Sequence, residues 1–431
     1  MGGVRFYSSS TGAIEGGVLN SIIQQAQALQ REGRLDDAGA LCEELLQEDP
    51  GRFEVLSLLA LIAAQQGDFE RAVVGYDRVI AVKPDFADGY SNRGASFAAL
   101  NRPNEALINF DQAIALDSAH VGAHMGRAIV WLQQGNFARG WREFEWRWKT
   151  PQGRAIQEHR GISQPPWMGE EDIAGKTILL HSEKGLGDTL QFCRFAESVG
   201  DLGATVLLQV QESLVEILEQ LGGVSQVFGD TRRPPPFDVH CPLLSLPLAL
   251  KIELATLPPG KYLRAPHASV ARWRAKLGGH SKPRIGLVWR GDPHNPIDRT
   301  RSLALTQLLS TLPDRYQYVS LQRSLNDSEQ RIVAALSPDL CLSQDLNFAE
   351  TAALSECLDL VISVDTSVAH LSAALGQKTW ILLASSADCR WLLERSDSPW
   401  YRSATLYRQA RSGDWSGVLS RVAADLNREF T

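Results

Sequence analysis

The sequence predicts an α-helical solenoid followed by two parallel-sheet α/β domains that face each other. Three observations carry that prediction. Gly33, Gly67, Asn101 and Gly135 recur 34 residues apart, each between two helical patterns. After a stretch rich in proline and glycine, the rhythm changes to alternating strands and helices, as parallel α/β folds require. Within that part, Leu360–Gly376 reads as a buried β-branched strand, a turn at Asp365, Thr366 and Ser367, and a helix.

Length and composition set the bounds. A chain of 431 residues has room for about two to three domains. Apolar content of 44% and charged content of 22% are those of a globular protein. A net charge of −7 argues against a general nucleic-acid surface. Cys42, Cys193, Cys241, Cys341, Cys357 and Cys389 are scattered, with no C-x-x-C pair, which fits a reduced cytoplasm better than a disulfide scaffold or zinc site. The Gly/Ser-rich start, residues 1–18, reads as a disordered leader. No apolar run reaches the ~18 to 20 residues of a membrane span. The expectation is a cytoplasmic protein with no membrane span and no nucleic-acid partner.

The repeats come first in the chain, over residues 19–149. Ala38, Ala72 and Ala106 keep the 34-residue interval, and Asp49-Pro50, Lys83-Pro84 and Asp117-Ser118 close successive units. Ala72, Tyr76, Val79 and Ile80 form one apolar stripe, copied by Ala106, Phe110, Ala113 and Ile114. Period, turn and stop signal together resemble a tetratricopeptide array of three to four units. That resemblance implies a concave surface that recruits another protein. The array ends in Trp141, Phe144, Trp146 and Trp148, which read as a cap against the next domain.

Residues 150–172 read as a Pro/Gly-rich linker. The first α/β domain is expected over 173–265, with strands at 176–181, 205–210, 226–228 and 238–240. The second is expected over 266–431, with strands at 284–289, 316–321, 360–364 and 379–383 and a closing helix at 415–429. Ligands of such sheets bind at the carboxyl ends of the strands.

Three loops at strand ends carry candidate chemistry. Gly185-Leu186-Gly187-Asp188 follows the first strand; its glycines allow close backbone approach, and Asp188 is either a helix cap or a general base aimed into the cleft. The loop after strand 284–289 holds Arg290, Arg299 and Arg301, whose guanidinium groups can grip phosphate in bidentate fashion. The competing reading is a solvated loop with one structural Arg–Asp pair; Ser302 caps a helix in either case. In the third loop, Asp365 can accept from ribose hydroxyls, while Thr366 and Ser367 donate to phosphate at a helix start. His370, one turn on from Thr366, can face the same crevice; the alternative is a plain cap and a packed histidine. No D-x-D pair occurs, so a carboxylate-held divalent metal is not expected.

Gly-Leu-Gly-Asp, the arginine-rich loop and Val364-Asp365-Thr366-Ser367-Val368-Ala369-His370 together resemble bacterial heptosyltransferase-type glycosyltransferases of the two-Rossmann GT-B fold. The resemblance covers about residues 172 to 431. It implies Asp188 as catalytic base and Asp365, Thr366 and His370 at the nucleotide sugar. Those enzymes place a lysine in the loop after the first strand of the second half; this chain offers Arg290, Arg299 and Arg301 instead. The expectation is a metal-independent, inverting glycosyltransferase using a nucleoside-diphosphate sugar, with Gly185, Gly187, Arg290, Arg299, Arg301, Asp365, Thr366, Ser367 and His370 at the donor. The competing class is an inactive GT-B and tetratricopeptide scaffold or nucleotide-binding module.

Overall fold

The computed structural model describes residues 12–183, 185–258, 260–279, 281–293, 298–336 and 346–430. The chain divides into two compact units, one through Val130 and one from Trp131.

The first unit is a run of antiparallel helices: α1 (Gly12–Arg31), α2 (Leu35–Glu48), α3 (Phe53–Gln66), α4 (Phe69–Val82), α5 (Ala87–Ala99), α6 (Pro103–Leu116) and α7 (Val121–Gln133), the last crossing the division. The expected leader falls outside the described residues through Thr11, and the chain is already helical from Gly12. The turn positions at the 34-residue interval all adopt positive φ: Gly33 at 79°, Gly67 at 82°, Asn101 at 55° and Gly135 at 76°. Glycine reaches that region without a Cβ clash, and asparagine is among the few other residues that tolerate it. The apolar stripes are core: Ala72, Tyr76, Val79, Ala106, Phe110 and Ala113 are buried, with Ile80 and Ile114 half-buried. Charge repeats with the same period. Arg93 pairs with Asp77 at 2.5 Å, and Arg127 pairs with Asp111 at 2.7 Å.

The second unit begins with α8 (Phe137–Phe144). Trp141, expected at the seam after the repeats, packs within this unit against Phe192 (5.6 Å between ring centroids) and Trp400 (6.4 Å). The expected linker is not all linker, because Pro151–Arg160 forms helix α9. Local chemistry explains it: the Thr150 hydroxyl accepts from Gly153 N–H, Pro151 starts the first turn, and Gly161 ends the helix at φ 55°.

The first sheet holds β1 (Thr177–His181), β2 (Thr205–Val210), β3 (Gln226–Gly229) and β4 (Val239–Pro242), all parallel, in the order β3-β2-β1-β4. Helices α10 (Leu186–Phe192) and α11 (Phe195–Gly200) follow β1; α12 (Val215–Leu218) follows β2, and α13 (Leu246–Ala249) follows β4. Helix α14 (His267–Leu277) leads into the second sheet of β5 (Arg284–Val288), β6 (Gln317–Ser320), β7 (Leu360–Val364), β8 (Thr379–Leu383) and β9 (Ala404–Arg408). Its order is β6-β5-β7-β8-β9, again parallel throughout. Between those strands lie α15 (Asp298–Arg301), α16 (Leu305–Thr311), α17 (Asp327–Leu336), α18 (Phe348–Ser355) and α19 (Ser367–Ala374), and α20 (Ser416–Glu429) closes the chain. Every residue of β5, β7 and β8 is buried, as continuous apolar runs in a covered parallel sheet should be. The edge strand β9, absent from the sequence prediction, alternates less clearly because Tyr407 and Arg408 interrupt it.

Both sheets reverse their strand order beside the strand that matters here: at β1 in the first, and between β5 and β7 in the second. Open parallel sheets place their ligand crevices at such points. Among the described residues, no helix is long and apolar enough to cross a membrane.

Candidate functional site

One cleft of about 630 Å³ collects the loops from these reversal points. Its walls come from the turn after β1 (Gly185 to Asp188), the ends of β5 and β6, the β7–α19 turn and the loop after β8. Eight of its side chains are charged, four aspartates (Asp188, Asp292, Asp365, Asp388) against four arginines (Arg290, Arg301, Arg323, Arg390). The lining is therefore balanced in formal charge rather than a bare cationic funnel.

Asp188 lies in the first turn of α10, where it caps the helix start and also pairs with an arginine from the second sheet. Its Oδ2 accepts from Gly185 N–H at 3.2 Å, an N-terminal cap, while Oδ1 accepts from Arg390 Nη2 at 2.5 Å. Gly187, which lines the cleft, has a further reason to be glycine: a Cβ there would lie 2.9 Å from His370 Cδ2, where α10 comes close to α19.

On the second sheet, Thr366 is the N-cap residue of α19, yet its side chain makes no capping bond. Its hydroxyl pairs with Ser363 Oγ at 3.1 Å instead. First-turn N–H groups of a helix have no partner within the helix, and here they open beside Thr366, Ser367 and Val368, which line the cleft. His370 is buried and fixed on three sides. It stacks on Trp391 with ring centroids 5.2 Å apart, its Nδ1 lies 2.9 Å from Tyr401 Oη, and its Nε2 lies 3.3 Å from Arg390 Nη1. Arginine can only donate, so Nε2 is the bare nitrogen and Nδ1–H donates to the tyrosine. Burial, with Arg390 adding to it, pushes the His370 pKa below its ordinary value, although Asp365 and Asp188 oppose the shift. Asp365 Oδ1 stands 3.7 Å from Nε2, beyond hydrogen-bond reach. Burial works against the Asp365 charge, but His370 and Arg390 outweigh it and hold its pKa below the usual value.

The arginine loop divides. Arg290 lines the cleft, but its fork is closed on Glu329 at 3.0 and 2.9 Å and on the Ser324 carbonyl at 2.7 Å. Arg301 pairs with Asp298 (3.2 Å) and donates to the Asp365 carbonyl (2.8 Å), so it props the β7 turn. It is the structural Arg–Asp pair that the sequence allowed. Arg299 falls on α15, with its side chain outside the described residues. The Ser302 hydroxyl does not cap a helix: it accepts from Gly291 N–H at 3.0 Å, and α16 starts after Ala304.

Two arginines that the sequence reading passed over stand in the cleft. Arg323, after β6, lies 4.6 Å over the Phe348 ring and, among the described residues, has no carboxylate partner. Arg390, after β8, donates to Asp188, to Asp388 (Nε to Oδ1, 2.8 Å) and to His370. Burial would raise the Asp388 pKa, but the Arg390 charge and hydrogen bond hold it at about 2. The signal that could have found both residues is positional: Gln322-Arg323-Ser324 and Asp388-Cys389-Arg390 each follow an apolar strand at its carboxyl end.

A second cavity, of about 470 Å³, lies at the carboxyl ends of β1 and β4. Its floor is the stacked pair His181 and His240, with Nε2 and Nδ1 3.1 Å apart. Trp148, Ile156, Ile162 and Met168 give it apolar walls. Burial and the Arg160 charge push both histidines below their ordinary pKa.

Residues 29–91 and 91–140 match models of the tetratricopeptide repeat, and residues 307–413 match that of glycosyltransferase family 9 (heptosyltransferase). The chain joins tetratricopeptide repeats to a heptosyltransferase-type domain. That match takes in Arg323, Asp365, Thr366, Ser367, His370, Asp388 and Arg390, and it starts after Asp188, Arg290 and Arg301. Protein FlbA of Caulobacter vibrioides is 25% identical over 438 aligned positions, which cover 94% of this chain and 72% of FlbA. A tetratricopeptide repeat and J domain-containing co-chaperone, DNJ1 of Cryptococcus neoformans, is 25% identical over 185 positions, 43% of this chain and 34% of its own. Among solved structures, MamA aligns over 32% of this chain and 80% of its own, at 14% identity and a TM-score of 0.29. The Thermus thermophilus repeat protein TTC0263 aligns over 33% and 77%, at 20% identity and a TM-score of 0.30.

Proposed function

We propose that the cleft is the site of an inverting glycosyl transfer from a nucleoside-diphosphate sugar to an acceptor hydroxyl, proceeding without a divalent metal. The single observation that carries this reading is the convergence of Asp188 from the first sheet with the Thr366 helix start, Arg323 and Arg390 from the second on one cavity. An Asp188 oxygen takes the proton of the acceptor hydroxyl as that oxygen bonds the anomeric carbon. The bond from that carbon to the β-phosphate oxygen breaks, and the diphosphate leaves with the electron pair. Arg323, Arg390 and the α19 backbone N–H groups meet the charge that develops there. Such preorganised donors typically contribute roughly 2.7 to 4 kcal/mol each. His370, neutral with a bare Nε2, accepts from a sugar hydroxyl rather than donating to phosphate. Arg290, committed to Glu329, and Arg301, committed to Asp298, hold the loops in place. The repeats recruit the acceptor protein or a partner that presents it, as such arrays commonly do.

A binding module without turnover is the second reading. It is favoured by the engagement of both Asp188 oxygens, one with Gly185 N–H and the other with Arg390. Incubating the full chain with a panel of nucleotide sugars, with and without Asp188→Ala, separates the two. Turnover that falls at least a hundredfold in the variant supports the enzyme. Nucleotide binding with no turnover by the wild type supports the module.

A further inference from the structure

Arg390 holds a position that the transfer reaction itself does not explain. Its Nη2 binds Asp188 Oδ1 at 2.5 Å, from the first sheet's loop, while its Nε binds Asp388 Oδ1 at 2.8 Å, from its own loop. Nη1 reaches His370 Nε2 at 3.3 Å. The other Asp188 oxygen holds Gly185 N–H. In this arrangement each carboxylate oxygen already accepts one hydrogen bond, and the charge-assisted one from Arg390 lowers the basicity of Oδ1 toward an acceptor hydroxyl. The two edges of the guanidinium are unequal, however. The Nε edge is anchored on Asp388, two residues away in the same loop, whereas the Nη edge crosses to a different sheet. Nη2 also reaches Asp388 Oδ2, at a longer 3.4 Å, so a small rotation about the Nε edge would carry the Nη nitrogens off Asp188, giving up that long contact and keeping the 2.8 Å bond from Nε to Asp388 Oδ1.

We propose that Arg390 is a donor-operated latch on Asp188. Before a donor binds, the guanidinium would hold the carboxylate as it does in this geometry. When a nucleoside diphosphate group enters, the Nη edge shifts onto its oxygens, and Asp188 Oδ1 becomes open to the acceptor hydroxyl. This rests on the nucleotide-sugar reading above and adds an order to it: donor first, acceptor second. Three features favour the exchange. A diphosphate carries more negative charge than one carboxylate and offers several oxygens to a planar fork. Asp388 stays ionised down to about pH 2, so the anchor persists at any working pH. Gly185 N–H keeps Asp188 oriented after the guanidinium leaves. Arg390 is thus a positioning residue for the base as well as a ligand of the leaving group.

A double-mutant cycle on binding tests the latch. The full chain, Asp188→Asn, Arg390→Gln and the double variant are titrated calorimetrically with UDP, GDP, ADP, CDP and dTDP at fixed salt. Thermal melts check that each variant folds, with Arg390→Lys, which keeps the charge but loses the fork, standing in if the glutamine variant does not. The latch predicts that Asp188→Asn tightens nucleoside diphosphate binding by about tenfold when Arg390 is present, the scale of one charge-assisted hydrogen bond. It predicts less than about a twofold change from the same substitution when Arg390 is replaced, because no latch remains to release. Equal tightening in both backgrounds would mean plain repulsion between Asp188 and the ligand, and would overturn the latch while leaving the nucleotide reading intact. Binding of no nucleotide by the wild type or by any variant would overturn that reading and the latch with it.

Discussion

Gly187 of α10 lies against the imidazole of His370 on α19, so close that a Cβ on the glycine would sit 2.9 Å from His370 Cδ2. The imidazole cannot step aside, because Trp391 stacks on it and Tyr401 holds its Nδ1. Gly187→Ala is therefore expected to destabilise the second unit by about 1–3 kcal/mol, the usual cost of overpacking. Thermal unfolding checks this; an unchanged midpoint would show that the two helices can separate freely.

Arg323 and Arg290 should behave as opposites. Among the described residues Arg323 has the Phe348 ring beneath it and no carboxylate partner, so Arg323→Gln is expected to weaken nucleoside diphosphate binding by about tenfold or more at an unchanged melting temperature. Arg290→Gln removes the partner of Glu329, which also accepts from Trp289 Nε1 at 2.7 Å. It leaves that carboxylate poorly compensated, and its expected signature is a lowered melting temperature. Calorimetry and melting on both variants decide it, and reversed signatures would reassign the two side chains.

The pH dependence of stability follows from the histidines. His181, His240 and His370 are all held below the ordinary 6.5, mainly by burial, with Arg160 reinforcing the first two and Arg390 the third. Between 6.5 and the lower folded values, the unfolded chain binds more protons than the folded one, so stability rises with pH across that window. The melting temperature should fall as pH drops below about 6.5. The variant carrying both His181→Asn and His240→Gln should show a shallower fall than wild type, and parallel curves would contradict this.

In the repeats, Phe110 is gripped by glycines on both neighbouring helices. A Cβ at Gly94 would come 2.9 Å from Phe110 Cε1, and one at Gly126 would come closer still to the ring. Gly126→Ala is expected to cost the first unit about 1–3 kcal/mol. Denaturant unfolding of the full chain, followed by helical signal, reads that loss; an unshifted midpoint would contradict it.

How much of this was legible depends on whether a signal is local. The repeat turns could be read because positive φ selects Gly or Asn at one position per period, as Gly33, Gly67, Asn101 and Gly135 show. Strands β5 and β7 could be read from their uninterrupted apolar runs. Asp188 and the Asp365-to-His370 turn could be placed because strand ends are where parallel sheets bind ligands. The commitments of the arginines could not. Arg290 finds Glu329 across 39 residues, and nothing near Arg290 announces it. Helix α9 was hidden by Pro151, Gly153 and Gly161, which read as loop by composition yet sit at the start and end of a capped helix. Arg390 carries a weaker local signal: it lies seven residues past the end of β8, beyond the small residues Ala384 to Ala387, and its partner Asp188 is 202 residues away.

The central claim is that a nucleoside diphosphate sits at the carboxyl ends of β5 and β7. A structure determined with the tightest-binding nucleoside diphosphate of the panel tests it most directly. The account predicts phosphate oxygens against the Thr366–Val368 turn, with Arg323 and the Nη edge of Arg390 upon them. Nucleotide found only in the His181 and His240 cavity, with the cleft empty and Arg390 still on Asp188, would contradict it.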